Sequence, residues 1–298
     1  MIKRTLFFSN PAYLSTKNQQ LVINYPEADT PTKTIPIEDI GMVVLENQQI
    51  TISNGLLSRL IQNNAAVISC DGYHLPISLL QPLVGHSEQT ERMRHQLNAS
   101  MPLKKNLWQQ TISAKIQNQA NFMDNQGIPA RKMHKWVNEV KSGDTENHES
   151  RAAVYYWQHI FGIENFTRGQ KEAPPNNLLN YGYAILRGIT ARALVSSGML
   201  PSVGVFHRNK YNAFCLADDI MEPYRVYVDV LVNDMVQLNK DYETLTTDLK
   251  THLLQLPVID VVIDGNKSPL MVAMSRTTNS LYECFAGISR KVLYPVFE

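Results

Sequence analysis

At 298 residues with 44% hydrophobic content, the chain can bury the core of one large domain or two ordinary ones. Three scattered cysteines, Cys70, Cys215 and Cys284, form no CxxC pair and leave one over in any disulfide scheme, which argues against a disulfide scaffold and for a reducing compartment. The net charge of +1 is unevenly spread: residues 104–210 hold 14 Lys/Arg against 7 Asp/Glu, whereas residues 211–298 hold 7 against 12. The basic middle third fits either an ordinary solvated helix surface or a bound polyanion.

The opening MIKRTLFFSNPAY has too few apolar residues for a signal core, and nothing further on approaches a membrane span. A cytoplasmic protein with no membrane partner is expected. Up to about residue 80 the pattern is one of short β-branched and aromatic runs, TLFFS, QLVINYP, TKTIPI, IGMVVLEN, QQITIS and AAVISCDGYHLPIS, broken by Pro, Asn and Asp-Gly. These predict a small β-sandwich that can pair with a copy of itself. One helix interrupts it, GLLSRLIQNN, capped by Ser53 or Asn54 with Leu56, Leu57, Leu60 and Ile61 on one face.

Beyond Ser87 the apolar period becomes helical. SEQTERMRHQLNAS, KKNLWQQTISAKIQNQANFM, ARKMHKWVNEVK, HESRAAVYYWQHIF, NNLLNYGYAILRGITARALVSSG, FCLADDIMEPYRVYVDVLVNDMV and DYETLTTDLKTHLLQL each repeat every three or four positions, and a last helix runs through SPLMVAMSRTTNSLYECFAGISRKVL. VIDVVIDGNKS predicts a short hairpin turning at Asp-Gly. The expected architecture is α+β: residues 1–84 as a small N-terminal β-sandwich, and residues 85–298 as a larger all-helical domain, with the seam near QPLVGHSEQT.

The stretch GVFHRNKYNAFCLADDIMEPYR holds the densest chemistry. Asp218, Asp219 and Glu222 fall three and four apart on one predicted helix, where like charges repel and a cation relieves them. An exposed acidic face explains the same spacing. His207 lies in the preceding loop beside Arg208 and Lys210 and is either a structural imidazole or a ligand. A third group comes from SGDTENHES, where Glu146, His148 and Glu149 open an amphipathic helix, and Glu149 is the one least explained by a preference for acids in the first turn. Two carboxylates and one imidazole suit a hard or borderline divalent cation, Mg²⁺ or Mn²⁺, with open water positions. No phosphate-binding GxxxxGK[ST], no GxSxG and no zinc-type spacing is present, so catalysis is expected to be metal-assisted phosphodiester chemistry.

Three blocks, IGMVVLENQQITISNGLLSRLIQNNAAVISCDG, GDTENHESRAAVYYWQHIFG and NNLLNYGYAILRGITARALVSSGMLPSVGVFHRNKYNAFCLADDIMEPYR, together resemble the universal CRISPR-associated integrases that capture new spacers, in the branch found with single-protein RNA-guided effectors (type II systems). The resemblance runs in order along nearly the whole chain. It implies metal ligands at Glu149, His207 and Glu222, a further acidic position at Asp219, basic positions for DNA phosphates at Arg208 and Lys210, and Asn180 with Tyr181 in a helix near the site. Val226 departs from the Pro that related chains commonly carry there.

The resemblance also implies a homodimer, two of which are bridged by a small ferredoxin-like CRISPR-associated partner into a heterohexamer, with the type II effector nuclease as a further partner. Its substrates are two double-stranded DNAs, the protospacer and the CRISPR repeat, and each 3′-hydroxyl of the protospacer attacks a repeat phosphodiester by transesterification. A free-standing metal-dependent nuclease or repair enzyme, and a non-catalytic nucleic-acid scaffold, are the alternatives.

Overall fold

The alternating runs at the start of the chain form β1 (Arg4–Phe8), β2 (Tyr13–Lys17), β3 (Gln20–Asn24), β4 (Lys33–Pro36), β5 (Ile40–Leu45), β6 (Thr51–Ile52), helix α1 (Asn54–Gln62), β7 (Ala66–Cys70) and β8 (Pro76–Leu80). The computed structural model describes residues 3–27, 30–169, 171–238 and 241–298 and separates into two units, Met1–Gly85 and His86–Glu298.

In the first unit the strands form two four-stranded sheets, ordered β1-β5-β7-β8 and β4-β3-β2-β6. β5 pairs in parallel with both β1 and β7, and its IGMVVL sequence is buried on both faces except at Leu45, as a central parallel strand requires. One apolar cluster draws Phe8, Ile40, Val43 and Val67 from the first sheet, Leu14, Leu21 and Ile23 from the second, and Leu56 and Leu60 from α1. Each such side chain contributes about 1.5–3 kcal/mol when fully removed from water. Ser53 caps α1, its hydroxyl accepting from the Leu56 amide at 3.3 Å.

The second unit holds α2 (Gln89–Asn98), α3 (Met101–Asn125), α4 (Arg131–Glu139), α5 (His148–His159), α6 (Asn176–Ser196), α7 (Cys215–Met221), α8 (Arg225–Gln237), α9 (Thr247–Leu253), β9 (Asp260–Ile263), β10 (Asn266–Pro269), α10 (Leu270–Phe285) and β11 (Pro295–Val296). It is mostly helical but not all-helical, which corrects the expectation for this half. β9 and β10 make the hairpin predicted at Asp-Gly, with Asp264 and Gly265 both at positive φ (53° and 69°) as a type I′ turn demands. β11, from the end of the chain, then adds to β9 to give a three-stranded antiparallel sheet. Among the described residues no helix is long and apolar enough to cross a membrane.

α3 is the longest helix and the one that organises the site. Ser100 caps it, and Trp108, Thr111, Ile112, Lys115, Ile116, Gln119 and Met123 are buried along it at helical spacing. That face packs against α5, α8 and the turn that follows α7.

α6 meets α8 so closely at Gly182 that an added Cβ would stand 2.4 Å from Val228 Cγ1. Val228 is β-branched and cannot swing aside without leaving its rotamer. Gly182→Ala is therefore expected to destabilise the unit by about 1–3 kcal/mol, read as a lower urea midpoint at unchanged slope. An unaltered midpoint would mean that α6 and α8 separate freely.

Candidate functional site

Three separate pieces of chain supply the two glutamates and the histidine singled out in the sequence, and each is held by a local device. Glu149 lies in the first turn of α5. The Asn147 side chain makes no cap hydrogen bond there; instead Asp144, itself at φ 48°, accepts the backbone N–H groups of His148 and Glu149, both at 2.9 Å. One carboxylate thus satisfies two of the unpaired donors at that helix end.

Glu222 stands at a break. The run FCLADDIMEPYRVYVDVLVNDMV, expected as one helix, divides into α7, a 3₁₀ turn at Glu222–Tyr224, and α8. Pro223 has no N–H with which to continue the ladder, so the helix restarts one turn later. α8 begins at Arg225, with Val226 buried in it, so no proline is needed at that position.

His207 lies in the loop before α7. Asp219, 0% exposed, accepts the backbone N–H groups of Val205 (2.7 Å), Phe206 (3.0 Å) and His207 (3.2 Å) and bonds the imidazole Nδ1 at 2.5 Å. Gly204 lets the loop come this close, because a Cβ there would meet the His207 carbonyl at 2.4 Å and Asp219 Oδ2 at 2.8 Å. Buried Trp108 stacks on Phe206 at 4.1 Å and meets His207 edge-on at 5.6 Å. With Nδ1 engaged, Nε2 is the ring nitrogen left to ligate.

The two glutamates converge on a residue that belongs to none of the sequence motifs. Lys115 Nζ, from the buried face of α3, lies 2.7 Å from Glu149 Oε1 and 2.7 Å from Glu222 Oε2. Arg225 Nε reaches Glu222 Oε1 at 2.9 Å. Burial opposes the Glu222 charge, yet Arg225 and Lys115 outweigh it and hold that carboxyl well below the usual carboxylate range. Burial likewise works against the Lys115 ammonium, but Glu222 and Glu149 overcome it and raise its pKa. The bond to Asp219 raises the His207 pKa, burial opposes it, and the charges of Asp219, Glu222 and Glu149 add to the rise. The imidazole is therefore within electrostatic reach of both glutamates.

The three acids of ADDIME do not share one cation, as their spacing suggested. Asp218 bonds Arg187 Nε at 2.6 Å and the Asn212 amide at 2.7 Å, Asp219 holds His207, and Glu222 faces Lys115 and Arg225. Among the described residues no three His, Cys, Asp or Glu side chains form a ready metal cage. Glu222 Oε2 is buried against the Lys115 ammonium at 2.7 Å, a contact carried by opposite charges. The charge and hard oxygen donors of Glu149 and Glu222, with the spare Nε2 of His207, fit a divalent cation such as Mg²⁺ or Mn²⁺.

Two cavities flank these residues. One of about 570 Å³ is lined by Lys104, His207, Arg208, Lys210 and Asn212. Arg208 and Lys210 are exposed on it, Arg208 against Met101 Sδ at 3.1 Å and Lys210 over the Tyr211 ring at 4.9 Å. The other, about 290 Å³, is lined by Lys115, Trp157, Arg168, Tyr183, Glu222 and Arg225. Asn180 Oδ1 accepts from Arg168 Nη2 at 2.8 Å, so it positions a residue of that wall, whereas Tyr181 is fully enclosed in α6. Glu146 pairs instead with Lys141, and His148 is buried between Glu139 and Asp144, each at 3.5 Å. A signal for Lys115 was present in the sequence: a lysine at a core position of an amphipathic helix needs an acidic partner.

Residues 6–254 match the family described as CRISPR associated protein Cas1. The CRISPR-associated endonuclease Cas1 of Neisseria meningitidis serogroup C (strain 8013) is 36% identical over 293 residues, which cover 98% of this chain and 94% of that protein. Among solved structures, a casposase bound to integration product has a TM-score of 0.79 at 17% identity, covering 98% of this chain and 92% of the casposase. A Cas6-RT-Cas1–Cas2 complex gives 0.70 at 18% identity, covering 97% of this chain and 35% of that longer one. The two solved structures share the fold, and the family match and the Neisseria relative establish that the chain belongs to the Cas1 family of CRISPR-associated proteins.

Proposed function

We propose that the chain is a cytoplasmic, divalent-metal-dependent DNA integrase of CRISPR adaptation, joining the 3′-hydroxyl ends of short protospacer duplexes to the CRISPR repeat by transesterification. The observation that carries this reading is the convergence of Glu149 and Glu222 on one point, with His207, whose Nδ1 is fixed by Asp219, subject to the charge of both. Those three residues would hold Mg²⁺ or Mn²⁺. The ion supplies Lewis acidity at a phosphoryl oxygen and lowers the pKa of a bound hydroxyl. The chain's own residues bind and orient: Asp219 fixes the imidazole tautomer, while Arg208 and Lys210 on the open cavity meet DNA phosphates.

The family membership supports the CRISPR role, and a neighbour of the same fold holds an integration product. A neighbour of the same fold is a Cas6-RT-Cas1–Cas2 complex, which supports a CRISPR-associated partner protein; a homodimer built on the N-terminal unit and a heterohexamer with a small ferredoxin-like partner belong to the same proposal.

The test is where the nucleophile comes from. In this reading the attacking hydroxyl arrives on the DNA and the site residues position it. With the partner protein and a repeat-bearing plasmid, a 3′-hydroxyl donor is expected to become covalently joined while the plasmid relaxes. A 3′-dideoxy or 3′-phosphate donor should give neither product. Nicking that continues at the same rate with blocked ends would identify a hydrolytic nuclease instead, since water is always present.

A further inference from the structure

The lysine between the two glutamates has no part in the metal reading above, and its position is specific. Lys115 has only 10% of its side chain exposed, and its ammonium is 2.7 Å from one oxygen of each acid. The two acids arrive from different elements, α5 and the 3₁₀ turn, while Lys115 comes from α3, which packs against both. Arg225 already neutralises Glu222 from its other oxygen, whereas Lys115 is the cation that joins Glu222 to Glu149. Two carboxylates and two cations make a locally neutral set. Adding a divalent ion to it with Lys115 in place would leave an excess of two positive charges in a poorly solvated spot.

We propose that Lys115 is the built-in counter-cation of the Glu149 and Glu222 pair, that a divalent ion binds these acids only by displacing its ammonium, and that Lys115 thereby sets the affinity of the site for metal. The inference rests on the metal reading of the same residues. Lysine suits the task better than arginine, because a compact charge on a flexible four-carbon stem can move without breaking a bidentate fork. Room to move exists: Lys115 lines the cavity of about 290 Å³ beside Trp157 and Tyr183. Without metal the lysine also keeps the acids from repelling each other, so it stabilises the unloaded protein.

The experiment titrates Mn²⁺ alone, by calorimetry, into the full chain and into Lys115→Met and Lys115→Arg, with thermal melts of each in chelator and in saturating Mn²⁺. Lys115→Met keeps the length and apolar stem and removes the charge. It is expected to bind Mn²⁺ at least about tenfold more tightly than the parent. In chelator its melting temperature should be lower by about 5 °C or more, a gap that closes in Mn²⁺. Lys115→Arg keeps the charge and is expected to show no tightening. Equal or weaker Mn²⁺ binding by Lys115→Met overturns the inference while leaving the metal reading intact. A lower melting temperature that Mn²⁺ does not restore would also overturn it, as that is the mark of lost packing. Absence of Mn²⁺ binding in all three proteins removes both readings together.

Discussion

Replacing Glu149, His207 or Glu222 by alanine is expected to lower strand transfer by at least about 10³, since each loses several kcal/mol of charge stabilisation at the phosphoryl group. The three losses of activity should be similar, but the losses of stability should not. Glu222 has only 6% of its side chain exposed and faces both Lys115 and Arg225, so its removal takes the carboxylate from Arg225 and leaves Lys115 with Glu149 alone, and breaking a buried pair in this way typically costs about 3–5 kcal/mol. Glu149 is 23% exposed and pairs with Lys115, and the His207 side chain is 42% exposed, so both variants should stay closer to the parent. Glu222→Gln, which keeps the shape, separates lost chemistry from lost fold. Asp219→Ala acts through the imidazole and the loop amides, and it should weaken metal binding by about 10–100-fold with partial activity retained. Strand-transfer assays beside circular dichroism check all five proteins. A Glu149, His207 or Glu222 variant with native spectrum and full activity would remove that residue from the site.

The candidate ligands are easier to read from the sequence than their surroundings. Glu149, His207 and Glu222 carry side-chain chemistry that reads directly from residue type and from a family resemblance over most of the chain. Lys115 was hidden because its meaning depends on which helices pack together, and periodicity places α3 without saying what its buried face meets. The break after α7 was hidden for a different reason. Apolar residues keep their helical spacing straight through Glu222–Tyr224, and only Pro223 marks the interruption. Among the strands, β2 was missed because YLSTK is polar at most positions, with Leu14 its one fully buried residue, while β11 depends on a pairing across more than thirty residues. Asp-Gly, by contrast, specified its turn locally, and the hairpin was legible.

Binding to duplex DNA is expected to fall by about 10³–10⁵ between 50 and 200 mM salt, the response of a surface that neutralises six to ten phosphates. The excess of 14 basic over 7 acidic residues between 104 and 210 motivates this, and the structure divides those charges into two populations. Lys115 is buried between glutamates, Lys141 is paired with Glu146, and Arg187 holds Asp218, so none of these is available to release counterions without losing its partner. Lys105, Arg131, Lys132, Arg208 and Lys210 are exposed, and Lys104 lines the cavity that also holds His207. If binding is carried by that second population, the slope of log affinity against log salt should be about −5. Arg208→Ala and Lys210→Ala should each reduce its steepness by about 1 and weaken unrelated duplexes equally, since phosphate contacts position DNA and carry no sequence information. Lys115→Met should leave the slope unchanged, because its charge faces carboxylates and not solvent. A flat salt response would place DNA recognition in base contacts, and an altered slope in Lys115→Met alone would place DNA against the buried face of α3 instead of the exposed rim.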